Sequence, residues 1–97
     1  ERQMLAMARA MMTDPELLML DEPSAGLSPK VSEEVFEIIS DIHSKLGRAI
    51  IMIEQDAYQS LTISSRGYVL VMGQNEFEDR ADRILSNEKI RKAYLGG

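Results

Sequence analysis

The stretch Leu17-Leu18-Met19-Leu20-Asp21-Glu22-Pro23 decides how the rest of the sequence is read. Four apolar residues in a row are too few for a helix and suit a short strand buried on both faces. Two adjacent carboxylates close that strand, and in open α/β sheets ligands bind beyond the carboxyl ends of the strands. Asp21 is therefore a candidate for holding Mg²⁺ through water, since that ion keeps much of its hydration shell. Glu22 is the candidate for orienting and activating a water that attacks a terminal phosphorus. An Asp-Glu pair by itself is more often the start of a solvated loop, so its weight comes from the residues around it.

Upstream, Met4, Leu5, Ala8, Met11 and Met12 recur at helical spacing, which predicts a helix from Glu1 to Thr13 that Asp14-Pro15 stops. Its methionines read as adaptable packing. Downstream, Ser24 to Ser28 reads as a loop, with Ser28 as N-cap and Pro29 at the first helical position. Val31, Val35, Ile38, Ile39, Ile42 and Leu46 then follow one helical face, and Gly47 ends it. Ala49 to Ile53 is a second buried strand, again ending in polar residues, Glu54-Gln55-Asp56. Asp56 with Gln59 three residues on suits a capping box opening a short helix. Tyr68 to Met72 reads as a third strand, Gly73-Gln74 as a turn, and Glu76 to Glu78 as a weaker fourth strand. Arg80 to Leu95 completes the pattern as one helix or two, with Asn87 as a cap between them. Buried strands alternating with amphipathic helices predict an α/β fold with mainly parallel strands, followed by a C-terminal β-hairpin and helices.

Composition narrows the function. Eleven basic against sixteen acidic side chains give a net charge of −5, a poor match to a nucleic-acid surface. With no cysteine, disulfides and thiolate metal sites are excluded. No apolar run exceeds five residues, as in Ala49 to Ile53, far short of the ~20 that a membrane helix needs. His43, the single histidine, falls with Ser40, Asp41 and Ser44 on the polar face of the long helix and reads as an ordinary exposed side chain.

From Glu1 to Gly97 the chain resembles the C-terminal part of an ABC-transporter ATP-binding subunit. Glu1-Arg2-Gln3 and the helix after it resemble the continuation of that family's signature, and Leu17 to Pro23 its Walker B strand with the catalytic glutamate. Ser24-Ala25-Gly26-Leu27 stands in the place of the D-loop, and Ile50 to Asp56 where the second strand runs into the switch loop. The resemblance implies a P-loop NTPase-like core, of which residues 1–97 are the C-terminal piece. It also implies ATP and Mg²⁺ as cofactors, with Asp21, Ser24 and Ala25 at the nucleotide and at the dimer seam, and Glu22 and Gln55 as catalytic groups.

Two positions depart from the family pattern. Gln55 stands where a histidine usually faces the terminal phosphate; it keeps hydrogen-bonding capacity but neither carries charge nor shuttles a proton. Leu27 replaces an aspartate of the D-loop. Glu54-Gln55, Gly26-Leu27-Ser28-Pro29, Arg66-Gly67-Tyr68-Val69-Leu70 and the terminal Ala93-Tyr94-Leu95-Gly96-Gly97 resemble the paired ATPases of branched-chain amino-acid importers, with urea-type importers the nearest alternative. The partners implied are a second ATPase subunit, membrane permeases and, through them, a solute-binding protein, at the cytoplasmic face of the plasma membrane. No GxxxxGK[ST] phosphate loop occurs among the 97 residues, so the chain alone is expected to be inactive. The start at Glu1 suggests a piece of a larger protein. A non-enzymatic fragment that associates with itself through open strand edges is a further reading.

Overall fold

The computed structural model describes residues 2–95, with side chains from Leu5 onward; Glu1 and Gly96-Gly97, at the two ends of the family resemblance, lie outside the described residues. The elements run α1 (Arg2–Met11), β1 (Leu17–Asp21), α2 (Pro29–Leu46), β2 (Ala49–Ile53), α3 (Ala57–Thr62), β3 (Arg66–Val71), β4 (Gln74–Arg80), α4 (Ala81–Ser86) and α5 (Glu88–Tyr94). They divide into two compact units, residues 1–55 and 56–97. Among the described residues no helix is long and apolar enough to cross a membrane.

In the first unit β1 and β2 pair in parallel, from Leu17 opposite Ala49 to Asp21 opposite Ile53. Parallel neighbours need a crossover, and α2 supplies it. Its start is fixed as the sequence predicts: Ser28 is extended, its Oγ accepts from the Val31 N–H at 3.4 Å, and Pro29 follows. Its end is fixed by Gly47 at φ 70°, whose N–H donates to His43 O at 3.1 Å. A residue with a Cβ resists that left-handed turn. His43 is exposed, with Nδ1 3.0 Å from Arg48 O, so its ring ties the helix end to the chain leaving it. At the opposite edge of the strands Arg48 pairs with Asp14, and the Ala49 N–H donates to Glu16 O at 3.0 Å.

Burial corrects the expectation of strands covered on both faces. Leu18 is 4% exposed, whereas Met19 is 73% and Ile51 54% exposed. Strand side chains alternate, and parallel register sets Met19 beside Ile51, so both lie on one face. That face is open among the described residues. Among the described residues of the unit the buried side chains are Met7, Leu18, Pro23, Ser32, Val35, Phe36, Ile39 and Ile42. The helical face thus includes Ser32 and Phe36, while Leu46, at the last position of α2, is exposed. Of the methionines near α1, Met7 is buried and Met12, past the helix end, is exposed.

In the second unit β3 and β4 form an antiparallel hairpin with an irregularity between Val69 and Leu70. Val71 pairs with Gln74, and Met72 and Gly73 between them lie at φ 50° and 79°. Two consecutive positive φ values mark the tight turn whose twist matches paired strands. The turn is therefore Met72-Gly73, not Gly73-Gln74, and β4 is longer than the expected Glu76 to Glu78 because backbone pairing carries Gln74 and Asn75 at one end and Asp79 and Arg80 at the other into the strand. A Cβ on Gly67 would stand 2.5 Å from Leu61 Cδ2 and 2.9 Å from Ile84 Cδ1, so glycine allows α3 and α4 to approach the hairpin. Asp56 caps α3 by accepting from the Gln59 N–H at 3.2 Å. Asn87 separates α4 from α5 by accepting from the Ile90 N–H at 3.1 Å. On the exposed hairpin face, hydrogen bonds with Glu78 and then Tyr68 raise the Arg66 pKa above its ordinary value.

These burial differences predict a large and a small cost for two truncations in urea unfolding. Ile39→Ala, in the core, is expected to cost about 2–5 kcal/mol. Met19→Ala, on the open face, is expected to cost less than about 0.5 kcal/mol.

Candidate functional site

The parallel register brings two chain reversals to one edge of the sheet. Asp21 ends β1 opposite Ile53, which ends β2, and each strand then turns into polar sequence. Asp21 is exposed and Glu22 half-buried. The Glu22 N–H donates to Ile53 O at 2.7 Å, carrying the pairing one residue past the strand.

Glu22 then takes a backbone φ of 46°. This left-handed geometry costs a residue with a side chain about 1–2 kcal/mol. Pro23, buried directly after it, and the Ala25 N–H donating to Glu22 O at 3.1 Å hold the turn. A second turn follows at once, with the Leu27 N–H on Ser24 O at 3.2 Å and Gly26 at φ 75°. The chain between the acidic pair and Ser28 is therefore two linked turns, in which Ser24 is half-buried and Ala25 exposed.

On the neighbouring strand, Gln55 is exposed and follows the half-buried Glu54. The Glu54 carboxylate accepts from the Ser24 N–H at 2.9 Å through Oε2 and from the Gln55 N–H at 3.0 Å through Oε1. All five residues singled out from sequence, Asp21, Glu22, Ser24, Ala25 and Gln55, thus lie in the two segments that leave the same sheet edge. Glu54 was not among them. Its signal in the sequence was only its place beside Gln55, because an acceptor for a backbone N–H thirty residues away has no local signature.

Among the described residues no three metal-ligating side chains gather into a cage. A divalent ion here would take one or two carboxylates from the edge and fill its sphere with water and substrate oxygens. That donor set suits Mg²⁺, with Asp21 as the available carboxylate at the strand end.

No family model matches the chain. Curated relatives do, over its whole length. The high-affinity branched-chain amino acid transport ATP-binding protein BraG of Pseudomonas aeruginosa is 45% identical over all of this chain and 41% of its own length. The probable branched-chain amino acid transport ATP-binding protein LivF of Archaeoglobus fulgidus is 43% identical over 99% of this chain and 41% of its own. Among solved structures, MJ1267, an ATP-binding cassette of an ABC transporter in its ADP conformation, has a TM-score of 0.77 at 28% identity. It covers 98% of this chain and 39% of that one.

The chain matches the C-terminal part of an ABC-transporter ATP-binding subunit. It spans about two fifths of the length of the curated relatives it matches. The fold is the mixed α/β fold of the ABC ATPase cassettes, here a parallel β1–α2–β2 element in one unit and a hairpin with helices in the other.

The backbone at Glu22 yields a test within this segment of the ABC cassette. Glu22→Gly removes the positive-φ penalty and is expected to leave stability unchanged or raise it by up to about 1 kcal/mol in urea unfolding. Glu22→Val is expected to lower it by about 1–2 kcal/mol, because a β-branched residue tolerates this φ least.

Proposed function

We propose that this chain supplies the Walker B, D-loop and switch-loop part of an ATP-hydrolysing subunit of a branched-chain amino-acid ABC importer. The observation that carries the reading is the meeting of Asp21 and the strained Glu22 with the Glu54-Gln55 segment at one parallel-strand edge. The names of the relatives BraG and LivF support the solute class.

In this reading Asp21 holds Mg²⁺ through water at the carboxyl end of β1. When bound, the ion would screen the charge that builds on the phosphate oxygens. Glu22 orients the attacking water and takes its proton, and its fixed backbone limits the positions the carboxylate can occupy. Gln55 hydrogen-bonds the terminal phosphate as donor, without changing charge. Ser24 and Ala25, in the turns after Glu22, lie at the seam with a second ATPase subunit. Closure of that pair on ATP and its opening after hydrolysis drive attached membrane permeases, which receive the amino acid from a solute-binding protein. The assembly sits at the cytoplasmic face of the plasma membrane.

A chimera tests this reading, with the chain replacing the matched C-terminal part of BraG. ATP hydrolysis is expected in the chimera and its loss by about 10²-fold or more in Glu22→Gln. The 97 residues alone, lacking GxxxxGK[ST], are expected to hydrolyse ATP negligibly. A chimera that is inactive, or active without Glu22, would sink the reading.

The open strand face favours a second property of the chain by itself, self-association. Leu17, Met19, Ile51 and Ile53 are 47%, 73%, 54% and 60% exposed on one side of the strand pair. Among the described residues each strand also has a neighbour on one side only. Sedimentation is expected to show dimers at high concentration that Met19→Lys weakens; a strictly monomeric chain would count against it.

A further inference from the structure

We infer that Glu54 is a positioning residue that fastens the turn after Glu22 to the segment bearing Gln55. The consequence for catalysis rests on the ATPase reading above, whereas the fastening itself does not. Three points of contact lie within three residues at the end of β2. Ile53 O receives the Glu22 N–H at 2.7 Å, Glu54 Oε2 receives the Ser24 N–H at 2.9 Å, and Glu54 Oε1 receives the Gln55 N–H at 3.0 Å. The first and second bracket Glu22 and Pro23, so the left-handed backbone of Glu22 is pinned on both sides. The third fixes where the chain leaves β2, and with it the origin of the Gln55 side chain.

The residue type follows from the contacts. The two N–H donors reach different oxygens of the side chain, Ser24 at Oε2 and Gln55 at Oε1, and a carboxylate presents an acceptor at both places. Both bonds are charge-assisted, stronger than those between neutral groups. Glutamine offers one oxygen and turns its NH₂ toward the second N–H, so it keeps one bond and opposes the other. Alanine keeps neither. Both Glu54 oxygens are taken by backbone N–H groups, so it acts through Glu22 and Gln55 rather than on the substrate.

Two measurements test the inference. In the unmodified 97-residue chain the Ser24 amide is expected to be protected from hydrogen exchange. Glu54→Ala is expected to speed its exchange about tenfold or more, and Glu54→Gln to do so at the Ser24 or the Gln55 amide, whichever meets the NH₂, while the Leu20 and Met52 amides within the strands stay as they were. A Ser24 amide that exchanges freely in the unmodified chain overturns the inference, even if neither variant folds. So does a Ser24 amide equally protected in both variants. In the BraG chimera Glu54→Gln is expected to lower kcat about tenfold or more with KM for ATP changed less than about threefold, the signature of misplaced catalytic groups rather than lost binding. An unchanged kcat, or a KM that rises alone, overturns the catalytic part. If the chimera with Glu54 intact hydrolyses nothing, the ATPase reading fails, and Ser24 exchange still decides whether Glu54 fastens the two segments.

Discussion

The parallel pairing of β1 with β2 is the constraint on which the chemistry at this sheet edge depends. Parallel strands end at the same edge, so their polar continuations leave side by side. An antiparallel arrangement of the same two strands would put Asp21 and Gln55 at opposite ends. What allows the parallel one is α2, an eighteen-residue crossover with one buried face and both ends fixed by Ser28 and Gly47.

That edge also holds a strained backbone position. Glu22 holds a left-handed conformation that glutamate ordinarily avoids, and it does so where a chemical role was expected. The strain is sustained by hydrogen bonds from two directions, the pairing to Ile53 and the turn closed by Ala25. The Glu54 carboxylate extends this hold to Ser24. A side chain that looks like a surface acid in sequence is thus placed to lock the two segments together, while Asp21 and Gln55 remain exposed to solvent.

Much of the fold was legible because it is governed by local chemistry. Ser28-Pro29, Gly47, Asp56 and Asn87 each mark a helix end through a hydrogen bond or a φ value that neighbouring residues decide, and all four act as the sequence predicts. Burial was less legible. Leu17 to Leu20 and Ala49 to Ile53 have the apolar runs of doubly covered strands, yet only one face is covered among the described residues, because the coverage of a strand depends on what packs over it. The hairpin turn was misplaced by one residue, since Met72 adopts a positive φ that only strand pairing on both sides makes worthwhile.

The sequence by itself determined the order of elements, the acidic pair at the end of a short apolar strand, and the likeness to ABC ATP-binding subunits. Those features reside in residue type and short spacing. Only the tertiary structure decided that the two strands pair in register, that Glu22 is held at a positive φ, and that Glu54 receives the Ser24 N–H. Each of these joins residues about thirty positions apart. A hydrogen bond across that separation exists only once the crossover helix has brought its two ends together.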